Sequence, residues 1–290
     1  MPALPADSPP SRWRVFATLG RVSNLPTVWS NCLAGWLLGG GGPVERFLAL
    51  TLGATAVYLG GMFLNDVFDA EFDRQHRPTR PIPSGAIAAG RVRQWGLGLL
   101  AFGGTTLVLL GRGSALLSLL LVGFVLAYNA LHKRTALAVG FIAGCRLLLY
   151  LLAAAAAGGI TGLSLWSALA LAGYVTGLSL IARHETGDTP PPRWPLSLLA
   201  LPPALAWFAN EGRAWEHAMA VALLLILWTL PFLHHLLRRP AGNPAFTVSG
   251  LLAGMVIVDL LAVAGNPSAA PAFLACFLLA LLAQRSIPAT

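Results

Sequence analysis

The sequence predicts an all-α, polytopic membrane protein: a helical bundle of nine or ten transmembrane helices. Three observations carry that reading. Hydrophobic residues make up 56% of the 290 and charged residues 10%, with a mean hydropathy of +0.71. A soluble domain carries nearer to about a quarter charged residues. Apolar runs of about 17–25 residues, enough to cross a hydrocarbon core, recur along the whole chain. The basic residues gather in alternate loops, as they do in chains oriented by the positive-inside rule.

The runs lie at 23–40, 46–66, 93–111, 114–131, 136–158, 162–182, 194–210, 215–237, 246–264 and 269–285. Pro202 and Pro203 interrupt the seventh. Gly265, Asn266 and Pro267 separate the last two, so nine and ten spans are both admissible. Residues 1–15 read as a polar, Pro-rich tail and 16–290 as one membrane domain. Arg12, Arg14 and Arg21 precede the first span, and Arg74, Arg77, Arg80, Arg91 and Arg93 follow the second. Lys133 and Arg134 follow the fourth, Arg183 and Arg193 the sixth, Arg238 and Arg239 the eighth. The opposite loops hold only Arg46, Arg112 and Arg213. The N-terminus and the loops after even spans are therefore expected in the cytoplasm, in a bacterial inner-membrane arrangement. The net charge of +8 does not signal nucleic acid, because the basic residues form no continuous patch. Cys32, Cys145 and Cys276 fall inside apolar runs without ligand spacing and read as buried, inert thiols.

Acids are scarce, eleven in all, yet Asp66, Asp69, Glu71 and Asp73 fall within eight consecutive positions. Carboxylates crowded at the mouth of an apolar segment repel one another and need a cation. If the helix continues through 65–77, Asp66, Asp69 and Asp73 share an arc of roughly 60°. Asn65 sits at its edge and Glu71 points away. Such a face suits Mg²⁺, which takes oxygen ligands and is completed by phosphate oxygens. The alternative is a solvated helix end with ordinary surface acids. Arg77 and Arg80, in the Pro-rich stretch that follows, are either phosphate clamps or simple positive-inside flanks. Arg146 lies in the middle of an apolar run, where an Arg implies an acid or a phosphate as partner. Asp259 is the one acid deep in the ninth run, and the sequence names no partner for it.

The pattern Asn65-Asp66-x-x-Asp69-x-x-x-Asp73, followed by Arg80-Pro81-Ile82-Pro83-Ser84-Gly85, resembles the first signature of the UbiA superfamily of intramembrane prenyltransferases, with Thr79 in place of the usual Asn. The stretch from Gly20 to Thr27 resembles the start of that family's first helix. Residues 128–135, Tyr128 and Asn129 through Lys133 and Arg134, resemble its motif after the fourth helix, and Gly144-Cys145-Arg146 resembles its Arg within the fifth. The resemblance implies a bundle of about nine spans around a central cavity, holding Mg²⁺ and a prenyl diphosphate whose prenyl group passes to a lipophilic or aromatic acceptor. It implies metal and catalytic roles for Asp66, Asp69, Asp73, Glu185 and Asp188. Substrate contacts would come from Asn24, Asn65, Arg77, Arg80, Tyr128, Lys133, Arg146 and Arg183, and Arg21 also reaches the cavity. The second acidic motif departs from the family pattern: only Glu185 and Asp188 remain, and Arg183 or Ala182 stands where an acid is usual. The alternative function is a UbiA-like protein that binds or moves a lipid-linked or diphosphate intermediate without prenylating it. The UbiA-related proteins of Ebo-type gene clusters, which the opening and second motif also resemble, exemplify that class.

Overall fold

Each apolar run becomes a helix because, away from water, a backbone must satisfy its own hydrogen bonds. The computed structural model describes residues 11–135, 137–183, 193–238 and 244–287. Helix α1 (Arg12–Leu19) is short and runs through a 3₁₀ turn (Val22–Asn24) into α2 (Leu25–Leu38). Then follow α3 (Val44–His76), α4 (Ala89–Val108), α5 (Arg112–Leu131), α6 (Ala138–Ala157) and α7 (Gly162–Ala182). The last group is α8 (Leu201–Ala209), α9 (Gly212–Arg238), α10 (Pro244–Ala262) and α11 (Ala270–Gln284). Among the described residues, seven helices are long and apolar enough to cross a membrane. This is an integral membrane protein. Its surface fits: Leu48, Leu52, Leu116, Leu119, Leu227 and Leu278, on four different helices, are all exposed, more apolar surface than a water-soluble protein usually shows.

Three segments depart from the simplest expectation. Helix α2 has only 14 residues. The seventh run breaks into a 3₁₀ turn (Trp194–Ala200) and the nine-residue α8, because prolines lack the N–H that continues a helical ladder. Residues 12–15, at the end of the expected tail, are helical and lie in α1, where Val15 is buried.

Two helix pairs touch backbone to backbone. On α3 and α4, a Cβ added to Gly103 would lie 2.6 Å from the Gly53 carbonyl oxygen, and one added to Gly60 would lie 2.8 Å from that of Gly96. On α2, a Cβ at Gly35 would meet the Tyr150 carbonyl oxygen of α6 at 2.4 Å. Small residues at such contacts let helices approach closely, the usual way membrane helices associate.

At 33 residues, α3 is about 50 Å long and outruns a ~30 Å hydrocarbon core. Its last turns, which carry the acids, extend the helix beyond the apolar run. The ends of α3, α5 and α7 meet at this end of the bundle: Lys133, just past α5, reaches Asp69 of α3, and Arg183, just past α7, donates to the Thr135 carbonyl at 3.2 Å.

Candidate active site

The acids at the end of α3 do not form one cluster. Each finds a different neighbour. Asp66 is 3% exposed, and its Oδ1 lies 3.0 Å from Arg80 Nη1 and 3.8 Å from Arg21 Nη2. Asp69 Oδ1 lies 2.7 Å from Lys133 Nζ and 2.9 Å from His132 Nε2. Asp73 is buried, and its carboxylate makes no direct hydrogen bond or salt bridge among the described residues, though its charge is felt by Arg80. Glu71 points outward into an exposed pair with Arg74, as the helical face required.

Two loops place the cations. Arg21 sits at φ 41°, the only non-glycine residue with positive φ among the described ones. That left-handed backbone costs roughly 1–2 kcal/mol and turns the chain sharply from α1 into α2. The Tyr58 hydroxyl donates to the Arg21 carbonyl at 3.2 Å, and Arg21 Nη2 donates to Asn65 Oδ1 at 3.2 Å. Asn65 in turn donates to Asn129 Oδ1 at 3.3 Å, and Asn129 donates to the Gly61 carbonyl at 3.0 Å. The neck of the site is thus tied across α3 and α5. The loop after α3 folds back because Ile82 and Ile87 bury themselves beside Val15, Leu19 and Phe63. Gly85, at φ 77°, makes the turn between them. This brings Arg80 onto Asp66. Burial pushes the Arg80 guanidinium below its ordinary value, and the charge of Arg21 adds to that while Asp66 opposes it. An arginine remains charged through such a shift.

The other expected residues divide into near and far. Tyr128 is half-buried and stacks on His132 with ring centroids 5.2 Å apart. Lys133 also lies 3.8 Å above the Phe72 ring centre. Asn24 is buried at the head of α2, and Arg77 ends α3. Arg146 is elsewhere: it donates to Thr27 and Asn31 of α2, farther into the bundle. Glu185 and Asp188 lie outside the described residues. His132 was not singled out by sequence reasoning. Its only signal was its place beside Lys133 at a helix end facing the acids.

Residues 25–189 match the profile of the UbiA prenyltransferase family, more than half of the chain. This chain belongs to that family. Digeranylgeranylglyceryl phosphate synthase of Methanopyrus kandleri is 29% identical over 262 residues, which are 87% of this chain and 90% of that protein. The 4-hydroxybenzoate octaprenyltransferase of Methylibium petroleiphilum is 38% identical over 96 residues, 30% of this chain and 31% of that protein. Where local identity is highest, the chain spans less than a third of its relatives' length. The apo structure of a UbiA homolog from Aeropyrum pernix K1 shares the fold, with a TM-score of 0.52 at 19% identity, covering 91% of this chain and 95% of that one.

The acidic face of this UbiA-family chain fits a hard cation in part. Among the described residues no three acids converge as a ready ligand set. However, Asp66 Oδ2 is buried without a partner, and Asp73 carries a second buried carboxylate two helical turns away. Two carboxylates with waters and phosphate oxygens are the usual share a protein gives Mg²⁺.

Proposed function

We propose that this chain is an intramembrane, Mg²⁺-dependent prenyltransferase that moves a prenyl group from a prenyl diphosphate to a lipophilic or aromatic acceptor. One observation carries the reading: at the membrane-surface end of the bundle, the buried Asp66 and the half-buried Asp69 stand paired with Arg21, Arg80 and Lys133. All three cations can exchange a carboxylate for a phosphate oxygen. The domain comprises residues 16–290, with the first residues of α1 just before it, and this end faces the cytoplasm.

The charges arrange the chemistry. Arg80 and Arg21 hold the diphosphate from the loop and α2 side, and Lys133 holds it from the α5 side. Arg77 stands next to Arg80 for an outer phosphate oxygen, and Arg183 approaches from α7. As these cations turn to phosphate, Asp66 and Asp69 are released toward metal and join Asp73, with Asn65 orienting them through its bonds to Arg21 and Asn129. Glu185 and Asp188 would complete a reduced second acidic set. When bound, Mg²⁺ offsets the charge that builds on the departing diphosphate. The allylic C–O bond breaks with its electron pair going to diphosphate. The acceptor forms the new bond to that carbon and gives up a proton, which the diphosphate can take. Tyr128 and Asn24 wall this space, and a bundle interior poor in water shields the allylic cation.

The test is a thermal shift of the detergent-purified protein with geranyl, farnesyl and geranylgeranyl diphosphates, with and without Mg²⁺, followed by transfer to radiolabelled acceptors. A Mg²⁺-dependent shift that disappears in Asp69→Ala, together with turnover, is expected. Binding without turnover on any acceptor would replace this reading with a carrier of diphosphate intermediates.

A further inference from the structure

Among the described residues, Arg21 is the one non-glycine in the left-handed region, at φ 41°. A corner alone does not call for an arginine there. Gly20, which could adopt that conformation freely, sits beside it at an ordinary φ of −78°. Its missing side chain serves contact instead, since a Cβ on Gly20 would meet Leu59 Cδ2 of α3 at 2.7 Å. The chain thus puts a long cation at the costly position. Such a conformation persists only where its surroundings hold it.

Helix α3 holds Arg21 at two points. The Tyr58 hydroxyl donates to the Arg21 carbonyl at 3.2 Å, an oxygen that also accepts the Asn24 N–H at 2.9 Å. Seven residues on, Asn65 Oδ1 accepts from Arg21 Nη2 at 3.2 Å, and Asp66 Oδ1 lies 3.8 Å from the same nitrogen. Positions i and i+7 share one helical face, roughly 10 Å apart. Tyr58 therefore fixes the backbone of Arg21 while Asn65 and Asp66 fix its guanidinium. The two grips differ in kind. Phosphate competes for the guanidinium with Asp66, whereas a phenol on a backbone carbonyl is indifferent to what the guanidinium holds.

The Tyr58 ring packs against an apolar core built from α2 to α6. Packing accounts for the ring and not for its hydroxyl. Farther along, α2 has anchors of its own. Arg146 of α6 holds Thr27 and Asn31, and Ser30 and Asn31 donate to Asp259 of α10 at 2.6 and 2.7 Å. Loss of the phenol would thus free the corner rather than the helix.

We propose that Tyr58 is a positioning residue for diphosphate binding: its hydroxyl holds the left-handed Arg21 corner, so that the guanidinium is aimed at the diphosphate before the ligand arrives and stays aimed as Asp66 lets go. This rests on the prenyltransferase reading and deepens it. Tyr58 acts through Arg21 and needs no contact with phosphate.

The test is a double-mutant cycle on the full-length protein in nanodiscs. The probes are geranyl, farnesyl and geranylgeranyl diphosphates with Mg²⁺, and the readout is equilibrium affinity. Tyr58→Phe should weaken binding by about fivefold, the scale of one lost hydrogen bond. Arg21→Gln removes a charged donor and should weaken it by about tenfold or more. The double variant should bind no more weakly than Arg21→Gln alone, since residues that act through one another are not additive. Losses that multiply would make Tyr58 a general structural tie and overturn the proposal. So would an unchanged affinity in Tyr58→Phe. The parent protein supplies a check that needs no variant: amide hydrogen exchange across residues 20–25 should be equally slow with and without ligand. A corner protected only after binding would overturn the proposal. A parent that binds none of the three diphosphates would overturn the transferase reading and this inference together, whereas binding without coupling between Tyr58 and Arg21 would overturn this inference alone.

Discussion

Asp66 and Asp73 lie seven residues apart on one face of α3, yet their removal should have opposite effects on stability. Asp66 holds Arg80, and more distantly Arg21, in a mostly buried setting. Asp66→Ala leaves those cations without their carboxylate. Breaking a buried pair costs about 3–5 kcal/mol; partial exposure of both arginines puts the expected loss toward or below the lower end. Asp73 makes no such direct pair and its charge repels that of Asp66, so Asp73→Asn should leave the melting temperature unchanged or higher. Both variants should lose about 100-fold or more in prenyl transfer, the scale seen when one transition-state charge stabiliser is removed. Thermal melts beside transfer rates separate the two effects. If Asp73→Asn unfolds the protein, the carboxylate is structural and the metal role assigned to it fails. Lys133→Met carries a further expectation. It removes the cation that holds Asp69 at 2.7 Å and should weaken Mg²⁺-dependent diphosphate binding by about tenfold, about 1.4 kcal/mol. An unchanged diphosphate affinity would confine Lys133 to a structural tie between α5 and α3.

At the level of the helices, the glycines that let backbones meet are the sensitive points. Gly35→Ala would put a methyl group 2.4 Å from the Tyr150 carbonyl oxygen and 2.8 Å from Ala153 Cβ. Neither obstacle is a flexible side-chain tip, so α2 must move off α6. Overpacking of this kind costs about 1–3 kcal/mol. Because Thr27 and Asn31 of α2 hold Arg146 of α6, the same shift should loosen the polar network. Gly98→Ala and Gly123→Ala meet nothing within 4 Å. They should be neutral or stabilising by up to ~1 kcal/mol through helix propensity. Melting temperatures of the three variants test the contrast, and a stable Gly35→Ala would show that α2 and α6 have room the packing does not suggest. The helices themselves were legible in the sequence, since ten apolar runs reappear as helical segments. So was the continuation of α3: acids at i, i+3 and i+7 make sense only on one helical face, and the helix does run to His76. The break at 194–210 was visible only as a pair of prolines. The partners of Asp259 were not legible at all. Ser30 and Asn31 lie more than two hundred residues away, on a helix whose polar residues look like ordinary small inward-facing ones. Likewise nothing local tells that Asp69 is met by His132 as well as Lys133, because that contact depends on how α5 crosses α3.

Over the whole molecule, charge and polarity run along one axis. One end holds the acids, Arg21, Arg80 and Lys133. A polar line descends from there along α2 to Asp259, and the outer surface is apolar. Such an arrangement lets a water-soluble diphosphate head enter from one aqueous side while its tail stays among apolar helices. That logic requires the acidic end to face the compartment favoured by the basic loops, the cytoplasm. A single accessible cysteine decides it. With Cys32, Cys145 and Cys276 replaced by serine or alanine, Thr79→Cys introduces an exposed thiol in the loop over the acids, and Ile160→Cys places one at the opposite end, between α6 and α7. A membrane-impermeant maleimide added to intact spheroplasts should label Ile160→Cys and spare Thr79→Cys until the membrane is opened. The reverse pattern would put the diphosphate site on the outer face. The basic residues around it would then have to be explained by ligand binding alone, since they could no longer be serving topology.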